Sequence, residues 1–180
     1  MTGAKVARRY AKALLALAEA QGRLDETGEE LASVSRAVEG HGELRALLIN
    51  PQFRAEAKRA VLEALVERMG LSQLVRGFLL LVLEKGRVRE LPAMAHFYRR
   101  GADERRGRVR AEVRAAAELD PGAVARLRER LARLTGKEVI LQVARDPQLI
   151  GGLVVQMDST VMDGSVRTQL QVLREKLLAD

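Results

Sequence analysis

The chain has 180 residues, of which 31 are Lys or Arg and 24 are Asp or Glu, so its net charge is +7. Hydrophobic residues make up 47% and charged residues 31%, a composition typical of one or two folded domains and not of a disordered chain. The absence of cysteine excludes disulfides and thiolate metal sites, and no run approaches the ~18 apolar residues of a membrane span.

The first half of the chain shows helical periodicity throughout. Val6, Tyr10, Leu14 and Leu17 recur at spacings of three and four, which places them on one face of a helix. Alanines fill the surrounding positions and would allow a second helix to approach closely. The same spacing, ended each time by glycine or proline, predicts helices over about 25–38, 44–48 and 54–69.

The segment 71–84 is the most apolar of the chain, because it contains six consecutive apolar residues over 78–83. Such a helix is either the centre of its bundle or has a second face for a partner. A last helix is predicted from about residue 88 or 90, with Pro92 in its first turn. The first half therefore predicts an all-helical bundle of about six helices.

The pattern changes near residue 106. Over 108–115 apolar and polar residues alternate strictly, which predicts a strand with one buried face. Asp120 followed by proline predicts the start of a helix that ends at Gly136. The remaining predicted elements are strands over 139–143, 153–157 and 160–162, a tight turn at Asp158-Ser159, and a closing helix from about residue 165. We therefore predict a six-helix bundle over 1–106 and a small α+β domain, with four strands and two helices, over 107–180.

The sequence contains no recognisable catalytic spacing. Lys137 is not followed by Ser or Thr, so a phosphate-binding loop is not predicted. Asp163 and Ser165 are predicted as turn and cap residues, since Ser165 lacks the context of a nucleophile elbow. His41 and His96 cannot build a histidine metal centre. We predict no catalytic residue, metal or cofactor, and an enzyme of unknown class is the weakest of the hypotheses.

Six arginines lie between residues 99 and 110. They form either a patch for nucleic acid or anionic lipid, or a solvated helix end and linker that Asp103 and Glu104 interrupt. A basic RNA- or ribosome-associated adaptor is therefore an alternative function. The aromatic content of 3% argues against it, because single-strand binders stack bases on aromatic side chains.

Two helices offer surface for a protein partner. The helix over 6–17 has alanines that permit close approach, and the helix over 74–83 has more apolar surface than one packing face uses. If the two helices lie side by side, they form a groove for an amphipathic partner helix.

Five segments spread along the chain form a combined signature: Val6–Leu14, Asn50-Pro51, Phe78–Arg87, Gly151–Val155 and Met162–Arg167. Together they resemble one known family, the delta subunit of bacterial F-type ATP synthase, whose mitochondrial counterpart is the oligomycin-sensitivity-conferring protein. The resemblance covers nearly the whole chain in order, with Arg9 standing where many relatives have proline.

The resemblance implies a non-catalytic stator subunit that links the catalytic head to the peripheral stalk and resists rotation during proton-driven ATP synthesis. The bundle over 1–106 would bind the N-terminal helix of an alpha subunit between its first and fifth helices. The domain over 107–180 would bind the C-terminal ends of the b subunits. We expect a peripheral location on the cytoplasmic face of the cell membrane, reached only through the complex, with no nucleic acid and no homo-oligomer.

The resemblance also implies the residues of the head-binding groove. Arg87, in the Gly86-Arg87 motif, is a further interface candidate, although capping its own helix is a competing interpretation. The groove candidates are Val6, Tyr10, Ala13, Leu14 and Leu17 on the first helix, with Phe78, Leu81 and Val82 on the fifth.

Overall fold

The computed structural model describes residues 3–157 and 160–178, so the turn predicted at Asp158-Ser159 lies outside the described residues. The chain divides into two compact units, Met1–Ala102 and Asp103–Asp180. Each unit has a hydrophobic core of its own.

Within the described residues, the first unit is built from helices alone. A single 3-10 turn, Val88–Glu90, precedes the last of them. Most of the predicted helices are confirmed, with ends that differ by one or two residues. The helices are α1 Gly3–Ala20, α2 Leu24–Gly40, α3 Gly42–Ile49, α4 Ala55–Arg68, α5 Gln73–Glu84 and α6 Leu91–Arg105.

The core of the first unit is made by the apolar faces of these helices. Leu14 of α1, Val34 of α2, Val82 of α5 and Met94 of α6 are all buried. Tyr98 of α6 is fully buried as well, and its hydroxyl donates a hydrogen bond to the Leu24 carbonyl oxygen at 3.0 Å. The polar end of this large side chain is thereby satisfied inside the core.

The second unit combines helices with a sheet. Its first two strands are parallel and joined through a helix, while the other neighbouring strands are antiparallel. The strand order in the sheet is β2-β1-β3-β4. The elements are β1 Arg108–Ala115, α7 Pro121–Thr135, β2 Glu138–Arg145, β3 Gly152–Met157, β4 Thr160–Ser165 and α8 Val166–Leu178.

One face of the sheet and α7 enclose the core of the second unit. Val113 of β1 pairs with Val143 of β2 and with Val155 of β3, and Leu131 of α7 is buried in the same core. The strict alternation in β1 therefore produces the half-buried strand that it predicts. This α+β fold, and the helical bundle before it, confirm the predicted fold class.

The ends of α7 follow the predicted signals. The Asp120 carboxylate accepts a hydrogen bond from the Ala123 backbone N–H at 2.9 Å, and Pro121 occupies the first helical position. Gly136 ends the helix with a φ of 65°, a left-handed conformation that a residue with a Cβ adopts at a cost. The predicted strand over 160–162 was too short, since β4 continues to Ser165 through pairing with Gly152.

Candidate protein-binding surfaces

The two helices selected from the sequence are neighbours in the first unit. The ring of Tyr10 on α1 meets the ring of Phe78 on α5 edge to face, with centroids 6.4 Å apart and an interplanar angle of 70°. This geometry is favourable for aromatic pairs. The condition for a groove between the two helices, that they lie side by side, is thus met.

Four of the predicted groove residues belong to the core of their own unit. Val6, Leu14, Phe78 and Val82 are buried within the bundle. Their side chains pack inside the bundle, and a contact between them and a partner stays a prediction. These four residues support the surface from inside the bundle. Helical spacing alone does not distinguish such buried residues from exposed residues of the same helix.

The remaining apolar candidates are accessible. Leu17 on α1 is 54% exposed and Leu81 on α5 is 43% exposed. Tyr10 is half-buried and Ala13 is exposed, and their spacing with Leu17 places all three on one face of α1. These exposed apolar side chains on two neighbouring helices are the accessible candidates for a partner-binding surface.

Cationic groups border the Tyr10 ring. The Arg9 guanidinium lies 6.0 Å from the centre of this ring. Lys85, just after α5, donates a hydrogen bond to the Glu84 carboxylate at 2.8 Å. That hydrogen bond raises the pKa of Lys85, with a smaller Coulombic contribution from Tyr10, and lowers the pKa of Glu84. Arg9 and Lys85 therefore place cationic groups beside Tyr10, although Lys85 is paired with Glu84.

Arg87 has a structural role of its own. Its backbone N–H donates to the Val82 carbonyl at 2.9 Å and the Gly86 N–H donates to the Leu83 carbonyl at 3.0 Å. This pair of bonds is the Schellman arrangement, in which Gly86 adopts a φ of 63°. The exposed Arg87 side chain lies 3.6 Å from the Glu90 carboxylate. The cap interpretation thus has direct geometric support, and a partner contact by Arg87 stays a prediction.

The beginning of α5 is held by α2. Ser72 caps the helix, since its hydroxyl accepts a hydrogen bond from the Val75 backbone N–H. The Glu30 carboxylate accepts one hydrogen bond from the Ser72 backbone N–H at 3.0 Å and one from the Ser72 hydroxyl at 2.6 Å. A carboxylate at this position also suits the positive end of the helix dipole. The helix that carries Leu81 is thereby fixed at its first turn.

A second groove, which the sequence analysis missed, lies between α4 and α5. It has a volume of about 660 Å³ and is lined by Phe53, Gly77, Leu80 and Leu81, among others. Leu81 therefore lies beside this groove as well as on the helix that neighbours α1. Phe53 lies in the segment between α3 and α4, and its side chain is exposed. The sequence gives no signal for this exposure, which only the fold reveals.

The second unit exposes apolar residues on its last helix. Leu170 is 58% exposed and Leu173 is 53% exposed, and their spacing of three places both on one face of α8. Ser165 caps the helix by accepting a hydrogen bond from the Thr168 backbone N–H at 3.3 Å. Asp163 accepts hydrogen bonds from the Ser165 backbone N–H at 2.8 Å and from the Thr168 hydroxyl at 2.9 Å. The hydrogen bonds from Ser165 and Thr168 lower the pKa of Asp163, so the predicted turn-and-cap role is confirmed.

The arginine cluster near residue 106 is partly neutralised. The Asp103 carboxylate, which is largely buried, lies 2.6 Å from the Arg110 guanidinium and 3.6 Å from that of Arg108. These arginines therefore hold the start of β1 to the end of α6 within the second unit. The geometry favours a local structural role over a nucleic-acid patch.

The described residues contain no group of three or more acidic or histidine side chains placed to bind a metal ion. None of the helices in the described parts of the chain has both the length and the apolar character needed to cross a membrane.

Known proteins resemble the chain over almost its full length. The family model described as ATP synthase delta (OSCP) subunit matches residues 6–177. ATP synthase subunit delta of Desulfatibacillum aliphaticivorans is 43% identical over 177 residues, covering 98% of this chain and 97% of that protein. ATP synthase subunit delta of Anaeromyxobacter dehalogenans is 41% identical over 172 residues, covering 96% of each.

The fold agrees with this similarity. A chain in the cryo-EM structure of the Toxoplasma gondii mitochondrial ATP synthase hexamer matches with a TM-score of 0.72 at 22% identity, covering 100% of this chain and 99% of that chain. The chain thus has the two-part fold of that neighbour, a helical bundle followed by an α+β unit, with apolar side chains exposed on helices of both units. The chain belongs to the ATP synthase delta (OSCP) subunit family.

Proposed function

We propose that this chain is the non-catalytic stator subunit that joins the catalytic head of ATP synthase to its peripheral stalk. The observation that carries the proposal is that each unit has its own exposed apolar helix surface, α1 with α5 in the first and α8 in the second. A connector needs two such surfaces, one for each body that it joins. It would act on the cytoplasmic face of the membrane and resist rotation of the head while protons drive the shaft.

The first unit binds the N-terminal helix of an alpha subunit. An amphipathic helix docks into an apolar groove through residues spaced three and four apart, and Tyr10, Ala13 and Leu17 offer a complementary row. Leu81 lies on the neighbouring helix of this surface. Arg9 at the border favours a partner helix with a carboxylate at the facing position.

The second unit binds the C-terminal ends of the b subunits. Leu170 and Leu173 of α8 are the strongest candidates, because they form an apolar stripe that the described part of the chain leaves exposed. Burying such a stripe is worth about 25 cal/mol for each Å² of apolar surface removed from water.

The head-binding surface is tested with Leu17→Asp and Leu81→Asp and a peptide of the alpha-subunit N-terminus. Burying an uncompensated carboxylate in an apolar interface is costly, so each variant is expected to weaken binding more than about tenfold. Calorimetric titration measures the affinity, and circular dichroism checks that the bundle stays folded.

Leu134→Asp is the matched control, because Leu134 is a 65% exposed leucine of the second unit. Wild-type affinity in both Leu17→Asp and Leu81→Asp would contradict the proposed head-binding surface. An equal loss in the control would show that the effect comes from charge alone.

A further inference from the structure

The exposed side of α7 carries an unusual concentration of positive charge. The helix contains four arginines and one glutamate. Arg126, Arg130 and Arg133 follow one another at spacings of four and three, so they lie on one face, and all are exposed. The opposite face, with Leu131, is buried against the sheet. We call Arg126, Arg130 and Arg133 the α7 arginine face.

Little within the described residues compensates this charge. The Glu129 carboxylate lies 2.6 Å from the Arg133 guanidinium, which accounts for the one acidic side chain of the helix. Arg126 and Arg130 have no hydrogen-bond or ion-pair partner among the residues that the structure describes. Like charges four residues apart on a helix repel each other, so this arrangement lowers the stability of α7 on its own. A partner with negative charge would remove that repulsion.

We infer that the α7 arginine face binds an acidic helical segment of the stalk protein that the second unit holds, an inference that rests on the proposed function. Guanidinium groups form paired hydrogen bonds with carboxylates, and exposed charges of this kind increase the rate and specificity of association. Leu134 is 65% exposed and lies one turn after Arg130, which gives the face an apolar contact of the kind found in protein interfaces.

Other anionic partners fit this face less well. All five aromatic residues of the chain lie before residue 107, so none lies in this unit to stack a nucleic-acid base. A membrane-surface helix inserts a broad apolar face into the lipid, whereas the apolar face of α7 packs against its own sheet. The exposed surface is thus suited to carboxylates presented by a protein.

The test measures binding of a C-terminal b-subunit peptide to the full chain at about 0.05 M and 0.3 M salt, across which exposed charges become strongly screened. The variant is Arg126→Glu with Arg130→Glu. We expect affinity about tenfold weaker at low salt, with a smaller dependence on salt than in the wild type. Thermal unfolding checks that the second unit stays folded in this variant, in which a pair of like negative charges replaces the pair of positive ones. A second variant, Arg126→Gln with Arg130→Gln, is expected to show a smaller effect in the same direction.

The charge-matched control is Arg54→Glu with Arg68→Glu, since both arginines are exposed in the first unit. Wild-type affinity and salt dependence in the α7 variants would overturn the inference, as would an equal loss in the control. Binding of transfer RNA or phosphatidylglycerol vesicles that is lost in the α7 variants, with peptide binding unchanged, would also overturn it.

The proposed stalk contact is tested separately by Leu170→Asp with Leu173→Asp. If these substitutions abolish peptide binding while the α7 variants leave it unchanged, the proposed function stands and the inference fails. If the wild-type chain does not bind the peptide at either salt concentration, the stalk contact and the inference fail together.

Discussion

The buried hydroxyl of Tyr98 shows how one polar atom contributes to the bundle. Replacing Tyr98 by Phe keeps the ring but leaves the buried Leu24 carbonyl without this donor. We expect the free energy of unfolding to fall by about 1–2 kcal/mol. Denaturant unfolding measures the change, and Tyr10→Phe is the control, since Tyr10 is only half-buried. Equal stability of the two variants would contradict this role.

Asp163 links the stability of the second unit to pH. Its pKa is lowered in the folded state by hydrogen bonds from Ser165 and Thr168. The stabilisation is therefore present above the pKa of the unfolded chain and is lost as the pH falls through the folded-state pKa. Asp163→Asn should lower the melting temperature at pH 7, and the difference from wild type should shrink in acid. A difference independent of pH would contradict this linkage.

At the scale of elements, the start of α5 depends on a residue of α2. Glu30→Ala removes two hydrogen bonds to Ser72, one of them from the helix-capping hydroxyl. We expect a loss of about 2 kcal/mol, because hydrogen bonds to charged groups are stronger than neutral ones. Hydrogen exchange should show faster exchange of the Val75 amide.

The control for this prediction is Glu29→Ala, since Glu29 is an exposed neighbour on the same helix. Unchanged protection of Val75 in the Glu30 variant would contradict the proposed anchoring of α5.

The elements themselves could be predicted because their signals are local. Asp120, Pro121 and Gly136 define α7 from the sequence, and the alternation over 108–115 defines β1. Which side of an apolar stripe faces the core could not be predicted. Leu14 and Leu17 belong to the same periodic row, yet one is buried and the other is exposed, because only tertiary packing decides how far around α1 its neighbours reach.

The same limit applies to both candidate surfaces. The stripe of α8 has the pattern of a core helix, but the described chain supplies no element that covers Leu170 and Leu173. The groove beside Leu81 depends on Phe53, which reaches α5 from a distant part of the sequence. Surfaces formed by residues far apart in the chain leave no periodic signal.

At the scale of the whole molecule, the two compact units predict two independent binding functions. Leu81→Asp should weaken binding of the alpha-subunit peptide and leave the affinity for the b-subunit peptide unchanged, and Leu170→Asp should do the reverse. Because each surface belongs to a unit with a hydrophobic core of its own, the effects of the two substitutions should be additive. Titrating each peptide into both single variants and the double variant measures this, and a loss of both affinities from one substitution would contradict it.

The position of β1 within the sheet has a mechanical consequence. This strand is the first of its unit and is hydrogen-bonded on both sides, to β2 in parallel and to β3 in antiparallel. A tensile force applied to the backbone at Arg108 along the strand axis loads the hydrogen bonds to β2 and to β3 at the same time. Because these bonds share the load, they must break together. A terminal strand at the sheet edge, pulled sideways, would instead open one bond at a time. The proposed stator role would place a load on the chain, and the central placement of β1 would let two rows of hydrogen bonds carry it where the chain enters the sheet.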